Sequence, residues 1–285
     1  VAHRNMAPSR ATAVAAACVL LGVVGRPRFF HGGARQSSGC FGTAAQAAVL
    51  PLHRLFFINL DRRPKRRLRF ERRASAQGLG GVLVRFPAVD GRALNVDGYP
   101  TSVVSRDGIE RARSPPQMVN GVHLTRGALG LILSYYTVLQ RIAADTEDSH
   151  VYVVAEDDAF LPPDFVGRLG SCLAALGRAD PAWEFLHVGY YDDDCSLCAL
   201  EGEGADVLCR PVEIYGLFGA AIRPPGARAL LRHLFPLDEQ IDSSLARVYG
   251  RVRAYASRPS LMRAIHSTAD NSDIQILPPG FSIGS

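Results

Sequence analysis

The chain has 285 residues, is 47% hydrophobic and 21% charged, and carries a formal net charge of +5 with a pI near 9.0. These values exclude a disordered tail, a collagen-like repeat and a multi-span membrane protein, and the length suits one sizeable domain with an appendage. The charge is divided: residues 1–80 hold 14 Lys/Arg against 2 acids, whereas residues 81–285 hold 18 against 25. A basic front edge therefore precedes an acidic body. Lys65 is the single lysine against 31 arginines, a bias that a GC-rich genome produces, so arginine content alone is no sign of phosphate binding. A nucleic-acid partner is disfavoured by the acidic body and by the lack of interleaved basic and aromatic residues.

In chain order, residues 11–25 (ATAVAAACVLLGVVG) form an uncharged apolar run behind Arg4 and Arg10. This is the n-region and h-region pattern of a secretory leader. As a helix the run reaches about 22 Å, short of a bilayer core of about 30 Å, which favours a signal peptide over a type II signal anchor. Either form places the body in the ER or Golgi lumen; the competing expectations are an unstructured leader or an organelle transit peptide. Residues 26–54 have the composition of a linker, and residues 55–285 are expected to form the domain.

LFFINL (55–60) predicts a buried strand, followed by a helix over 61–77 with Asp61 as its cap and Pro64 in its first turn. VLVRFPAV (82–89) predicts a second strand, and Asp90–Gly91 a turn. Apolar residues at helical spacing predict a helix over 125–145, capped by Thr125. VYVVA (151–155), WEFLHVG (183–189) and IYGLFGAAI (214–222) predict further strands. Helices are expected after Pro162–Pro163–Asp164 and from about Pro225. Strands alternating with helices imply an α/β sandwich on a mainly parallel sheet, without internal repeats.

The most informative segment is VYVVAEDDAF, in which a strand ends in Glu156, Asp157 and Asp158. In open α/β sheets ligands bind outside the carboxyl ends of strands. Carboxylates placed there suit a hard divalent cation that shares its coordination with phosphate and water. The competing account is a strand that ends in solvated or helix-capping acids. Asp192–Asp193–Asp194 is a rival acidic run in a loop, ranked as substrate-side.

Six segments in register carry a resemblance. FFINLDRRPKRRLRF (56–70), FPAVDGRAL (86–94), LTRGALGLILSYY (124–136), VVAEDDAFL (153–161), IYGLFGAAIRPPGARALL (214–231) and PLDEQI (236–241) are collinear with motifs of glycosyltransferase family 25. The chain resembles that family, of lipopolysaccharide-chain and procollagen galactosyltransferase type, from about residue 55 to 242. Departures are Lys65 where an acid is frequent, Leu131 for a common Cys, and Tyr135 for the His of a Ser-His pair.

The resemblance implies a GT-A-like single domain and inverting transfer from a nucleotide-sugar, usually a UDP-sugar, to a glycan or protein hydroxyl. Such chemistry needs a nucleotide grip, a neutralised diphosphate and a base for the acceptor proton. Asn59, Arg62 and Arg66 are the nucleotide-side candidates, with Asp90 and Gly91 toward base or ribose. Most of the eight Lys/Arg in 62–73 are expected to be a solvated helix face. Asp157 and Asp158, with Glu156, are the candidates for Mn²⁺ or Mg²⁺, and His266 is an additional candidate ligand. Asp238 and Asp242, one helical turn apart, are the candidate bases, with helix capping the alternative for Asp238. Cys195-x-x-Cys198 and Cys209 lack a fourth zinc ligand nearby, so a lumenal disulfide from Cys209 to Cys195 or Cys198 is expected. Cys172 is expected to be an ordinary buried residue. The alternative function is a catalytically silent carbohydrate-binding relative, for which Tyr135 is the distinguishing feature.

Overall fold

A computed structural model describes residues 51–113, 123–191, 198–201, 207–264, 267–268, 272–274 and 282–283 of the chain. The compact unit that contains them runs Gln46–Ser285. The leader and most of the linker lie outside the described residues, as do His266, Asp192–Asp194 and Cys195. Among the described residues no helix is long and apolar enough to cross a membrane.

The first strand, β1 (Arg54–Asn59), is apolar on both faces because both are covered. Phe56 and Ile58 enter the core beneath one helical layer, and Leu55 and Phe57 enter the core beneath the other. It is followed by α1 (Pro64–Ala76), β2 (Leu83–Pro87), α2 (Arg106–Arg113) and α3 (Arg126–Ala143). Next come β3 (Tyr152–Glu156), β4 (Ala159–Phe160), α4 (Phe165–Ala179) and β5 (Phe185–Gly189). The chain continues through β6 (Cys198–Glu201), β7 (Val207–Pro211), β8 (Gly219–Ile222) and α5 (Pro224–His233). It then adds α6 (Ile241–Leu245), β9 (Ala254–Arg258) and β10 (Arg263–Ala264), the last paired with β4.

Eight strands form one sheet in the order β2-β1-β3-β8-β5-β9-β7-β6. Pairs β1–β2, β1–β3 and β5–β9 are parallel. Pairs β3–β8, β5–β8, β7–β9 and β6–β7 are antiparallel. The α/β expectation holds: the sheet is mostly parallel but mixed, because β8 and β7 run against the direction of the other strands. Helices α3 and α5 pack on one face with α2 and α6, and α1 and α4 cover the other.

Local differences from the expected elements have local causes. Helix α1 starts at Pro64, not Asp61, because Arg63 takes the cap position and the Asp61 carboxylate accepts a hydrogen bond from Arg85. Asp90 caps a short 3₁₀ turn, Gly91–Ala93, by accepting from Arg92 N at 3.0 Å. Thr125 caps α3 as expected, accepting from Ala128 N at 3.0 Å. The 214–222 strand is shorter than expected: pairing begins at Gly219, after the chain turns at Gly216 with φ of 85°. The β6–β7 register sets Leu200, not Cys198, opposite Cys209. Cys209 is buried and its thiol donates to Ala256 O at 3.6 Å, so the expected pairing with Cys198 is not the one this ladder presents. Cys172 is buried on α4, as expected.

One core group makes folding sensitive to acid. His187 on β5 is fully buried; its Nε2 meets the Tyr249 hydroxyl at 2.9 Å, and Nδ1 has no hydrogen-bond partner among the described residues. Burial pushes its imidazole from 6.5 down to about 3. The unfolded chain therefore binds a proton that the folded chain refuses, and stability falls as pH drops from 6.5 toward 3. His187 contributes at most about 1.4 kcal/mol per pH unit to that loss. Urea midpoints for His187→Gln should fall less between pH 7 and pH 4.5 than those of the parent; parallel curves would exclude His187 as the source.

Candidate active site

The cleft opens where β1 and β3 end, at the place that the topology of α/β sheets favours for ligands. Strand β3 delivers Glu156, and the turn into β4 delivers Asp157 and Asp158. The incoming end of β8 lies alongside, with Glu156 N donating to Phe218 O at 3.2 Å. Helix α6 closes the far wall through Asp242, whose carboxylate accepts from Gly216 N and Ser243 N, each at 2.9 Å. Arg62, Arg66, Glu156, Asp158, Tyr191 and Asp242 are among the lining residues.

Asn59 does not line the cleft. It is buried, and its Nδ2 donates to Asp157 Oδ2 at 2.6 Å and to Arg63 O at 3.2 Å, while Oδ1 accepts from Arg85 Nε at 2.9 Å. It therefore positions Asp157 and the entry to α1 instead of facing a nucleotide. Asp157 is likewise engaged, taking Arg66 Nη1 at 3.0 Å on its other oxygen. Asp158 lies 3.4 Å from the same nitrogen and keeps 23% of its side chain exposed, enough for water or an ion to reach it. Asp90 binds Arg62 Nε at 2.7 Å, so it orients that arginine, while Gly91 lines the cleft itself.

Of the two candidate bases, the structure brings only Asp242 to the cleft. Asp238 precedes α6 and does not share a helical face with Asp242. Its carboxylate accepts from Ser105 Oγ, whose oxygen also accepts from Gly108 N in α2 at 3.1 Å, and its backbone carbonyl accepts from Arg111. That network joins α2 to the turn before α6.

Burial sets the electrostatics of the inner cleft by raising its carboxyls. Burial pushes Glu156 well above the ordinary carboxylate range, and the negative charges of Asp158, Asp157 and Asp242 add to it. Burial likewise pushes Asp158 up to about 6 in spite of Arg66. Asp242 is also raised by burial, which outweighs the hydrogen bonds from Gly216, Ser243 and its own backbone. Tyr191 is pushed up to about 12 by burial and then by Glu156, Asp158 and Asp242.

The sequence reading missed Asp273. Its carboxylate accepts Arg63 Nη2 and Nε at 2.7 and 2.8 Å and Arg62 Nη1 at 2.7 Å, and lies 3.9 Å from Arg66 Nη1. Burial would raise it, but the hydrogen bonds from Arg63 and Arg62 outweigh burial and hold it below the ordinary range. The available signal was at the other end of the contact, in Thr125-Arg126-Gly127-Ala128-Leu129-Gly130. Thr125 Oγ1 donates to Ile274 O at 2.5 Å. A Cβ on Gly127 would stand 1.8 Å from Asp273 O, and one on Gly130 would stand 2.4 Å from Val89 O. The two glycines admit a passing backbone on either side of the first turns of α3, and so set where Asp273 and Gly91 stand.

Tyr135, at the position of the family His, is fully enclosed, and its hydroxyl donates to Leu217 O at 2.5 Å. It props the segment that lines the cleft and does not enter the cleft. Leu131, by contrast, is a lining residue.

No family model matches the chain. Against curated proteins, it is 27% identical over 232 residues to a "Probable inactive glycosyltransferase 25 family member 3" from Bos taurus, covering 76% of this chain and 37% of that protein. It is 27% identical over 235 residues to "Procollagen galactosyltransferase 1" from Danio rerio, with 77% and 37% covered. It is 33% identical over 135 residues to "Procollagen galactosyltransferase 2" from Homo sapiens, with 47% and 20% covered. The chain thus spans less than two-fifths of the length of these relatives. The motif resemblance extends to whole-sequence comparison, and over about three-quarters of its length this chain is similar to proteins of glycosyltransferase family 25.

Proposed function

We propose that this domain transfers a sugar from a nucleotide-sugar, of the UDP-sugar type, to a hydroxyl of a glycan or protein, with inversion and on a GT-A-like scaffold in the secretory lumen. The observation that carries the proposal is the convergence of Glu156, Asp158 and Asp242 with Arg62 and Arg66 on one cleft at the strand ends. The arginines supply fixed positive charge for a diphosphate. Asp242, held by two backbone N–H groups, accepts the proton of the acceptor hydroxyl. Tyr191 and Leu217 form apolar wall beside the acids and limit water at the reacting centre.

The donor set fits a hard cation. Asp158 and Glu156 are oxygen donors whose carboxyls are raised first by burial and then by neighbouring acids, with Arg66 opposing. A cation there would be held by one or two of these carboxylates and by the donor's phosphates. Bound there, Mn²⁺ or Mg²⁺ would offset charge developing on the leaving diphosphate. The test is transfer or hydrolysis across a UDP-sugar panel with and without Mn²⁺, on the parent and on Asp158→Ala. The expected outcome is metal-dependent turnover that falls by at least about 100-fold in the variant. Metal-independent turnover, or full activity of Asp158→Ala, would defeat the assignment.

A second reading, a silent carbohydrate-binding domain, is favoured by the position of Asp273, which already pairs with Arg62 and Arg63 where a diphosphate would. Relatives named inactive point the same way. Tyr135, the feature first set in its favour, no longer supports it, because the side chain packs outside the cleft. Absence of nucleotide-sugar binding across the whole panel would select this reading.

A further inference from the structure

At the opposite end of the sheet, where β1 and β3 begin, three donors meet that sugar transfer does not use. His53 precedes β1 and its backbone N–H bonds Val151 O at 2.7 Å, beside the start of β3. Its ring stacks on that of His150, with centroids 3.9 Å apart and an interplanar angle of 18°. His150 Nδ1 lies 2.7 Å from Asp145 Oδ2, and the Tyr152 hydroxyl donates to the same oxygen at 2.6 Å. Asp145 stands just past the end of α3, and its other oxygen accepts Glu147 N at 3.0 Å, which fixes the carboxylate from behind. One ligand atom from each of His53, Asp145 and His150 lies within 4.8 Å of the other two.

We propose that His53, Asp145 and His150 form a second metal site, separate from the cleft, that takes a zinc-class divalent ion. Two imidazole nitrogens and one carboxylate oxygen suit Zn²⁺, whereas Mg²⁺ and Ca²⁺ prefer all-oxygen sets. Tetrahedral zinc with bonds of about 2.0–2.1 Å needs donors roughly 3.3 Å apart, so the two stacked rings would tilt toward a common point on binding. The ring nitrogens of His53 make no hydrogen bond among the described residues, so a lone pair is available on a ring that stacking holds beside His150. Burial, then His150 and Arg54, lower the His53 imidazole, against Asp145. The Tyr152 hydroxyl, then Glu147 N and His150, hold Asp145 well below the ordinary carboxylate range. A neutral His150 that ligates through Nδ1 would carry its one proton on Nε2, and the Tyr152 hydroxyl would stay as the carboxylate's outer partner.

All three donors are partly exposed, so a fourth position is open to water. The ion would clamp the entry of β1 to the α3–β3 connection, a structural role that does not depend on the sugar-transfer reading. The test is calorimetric titration of the full chain, freed of metal by chelation, with ZnCl₂ in excess Mg²⁺ so that oxygen sites are occupied. One Zn²⁺ per chain is expected, with a rise in melting midpoint. Affinity should fall by at least about tenfold in both His53→Gln and His150→Gln and be unchanged in Asp158→Ala. Apo melting midpoints of the glutamine variants are measured alongside, to separate lost ligation from lost fold, and Co²⁺ absorption reports four-coordination in the parent. No saturable zinc binding, or binding that survives His53→Gln/His150→Gln in a chain with the parent's apo midpoint, would overturn the site.

Discussion

Asp242→Asn should lower turnover by about 10²–10⁴-fold while leaving nucleotide-sugar affinity close to that of the parent. The substitution keeps the shape but only one acceptor oxygen, so one of Gly216 N and Ser243 N, which bond to different carboxylate oxygens, loses its partner at a modest cost in stability, and the basic carboxylate is removed. A group that only bound sugar hydroxyls would raise KM instead, and a group that only held the loop would melt the fold, so kcat separates the roles. The pH profile supplies a second check. A general base acts when ionised, and burial raises Asp242 from 3.8, so activity should climb with pH along an acid limb displaced above the ordinary carboxylate range. That limb should disappear in the residual activity of Asp242→Asn. A parallel Asp238→Asn variant should retain the limb, since Asp238 bonds to Ser105 outside the cleft.

Removing Arg66 should have the largest effect on stability. Its side chain is only 13% exposed and faces Asp157, Asp158 and Asp273. Arg66→Ala leaves those carboxylates in a partly desolvated cluster with less positive charge, an arrangement that costs about 3 kcal/mol when one partner of a buried ion pair is deleted. Arg66→Lys should recover part of the loss, because it restores charge but not the planar fork that serves several acids at once. Denaturant midpoints check the size, and the double variant Arg66→Ala/Asp157→Asn checks the cause. If repulsion among the acids drives the loss, the double variant should be more stable than Arg66→Ala alone. Equal midpoints for parent and Arg66→Ala would show that solvent screens the cluster.

Much of the scaffold was legible locally. The Thr125 cap, the apolar stripe of α3 and the strand that ends in Glu156 are consequences of patterns within about 20 residues, and each occurs as expected. Strand direction was not legible, because an apolar run such as GAAI is equally suited to either orientation and the turn through Gly216 is fixed by packing. The same limit explains the misplaced side chains. Asn59 and Asp90 do stand at strand ends, but what they face depends on Arg85, Arg62 and Asp157, which arrive from other parts of the chain. Asp238 and Asp242 share helical spacing without sharing a helix. Asp273 meets Arg62 across 211 positions, and nothing in its neighbours' composition announces that contact.

The glycines at the start of α3 impose a mechanical coupling on the cleft. Gly127 touches the backbone that carries Asp273, and Gly130 touches the backbone that leads to Gly91, so two walls rest on a single helical turn with no side chain between. Neither wall can slide along the helix without meeting it. Any widening of the cleft on this side has to proceed by lifting a segment away from α3. Helix α3 is thus a common footing: a substitution of a single methyl group there would shift the arginine-bound acid on one flank or the 3₁₀ turn on the other, at a distance from the substituted residue itself.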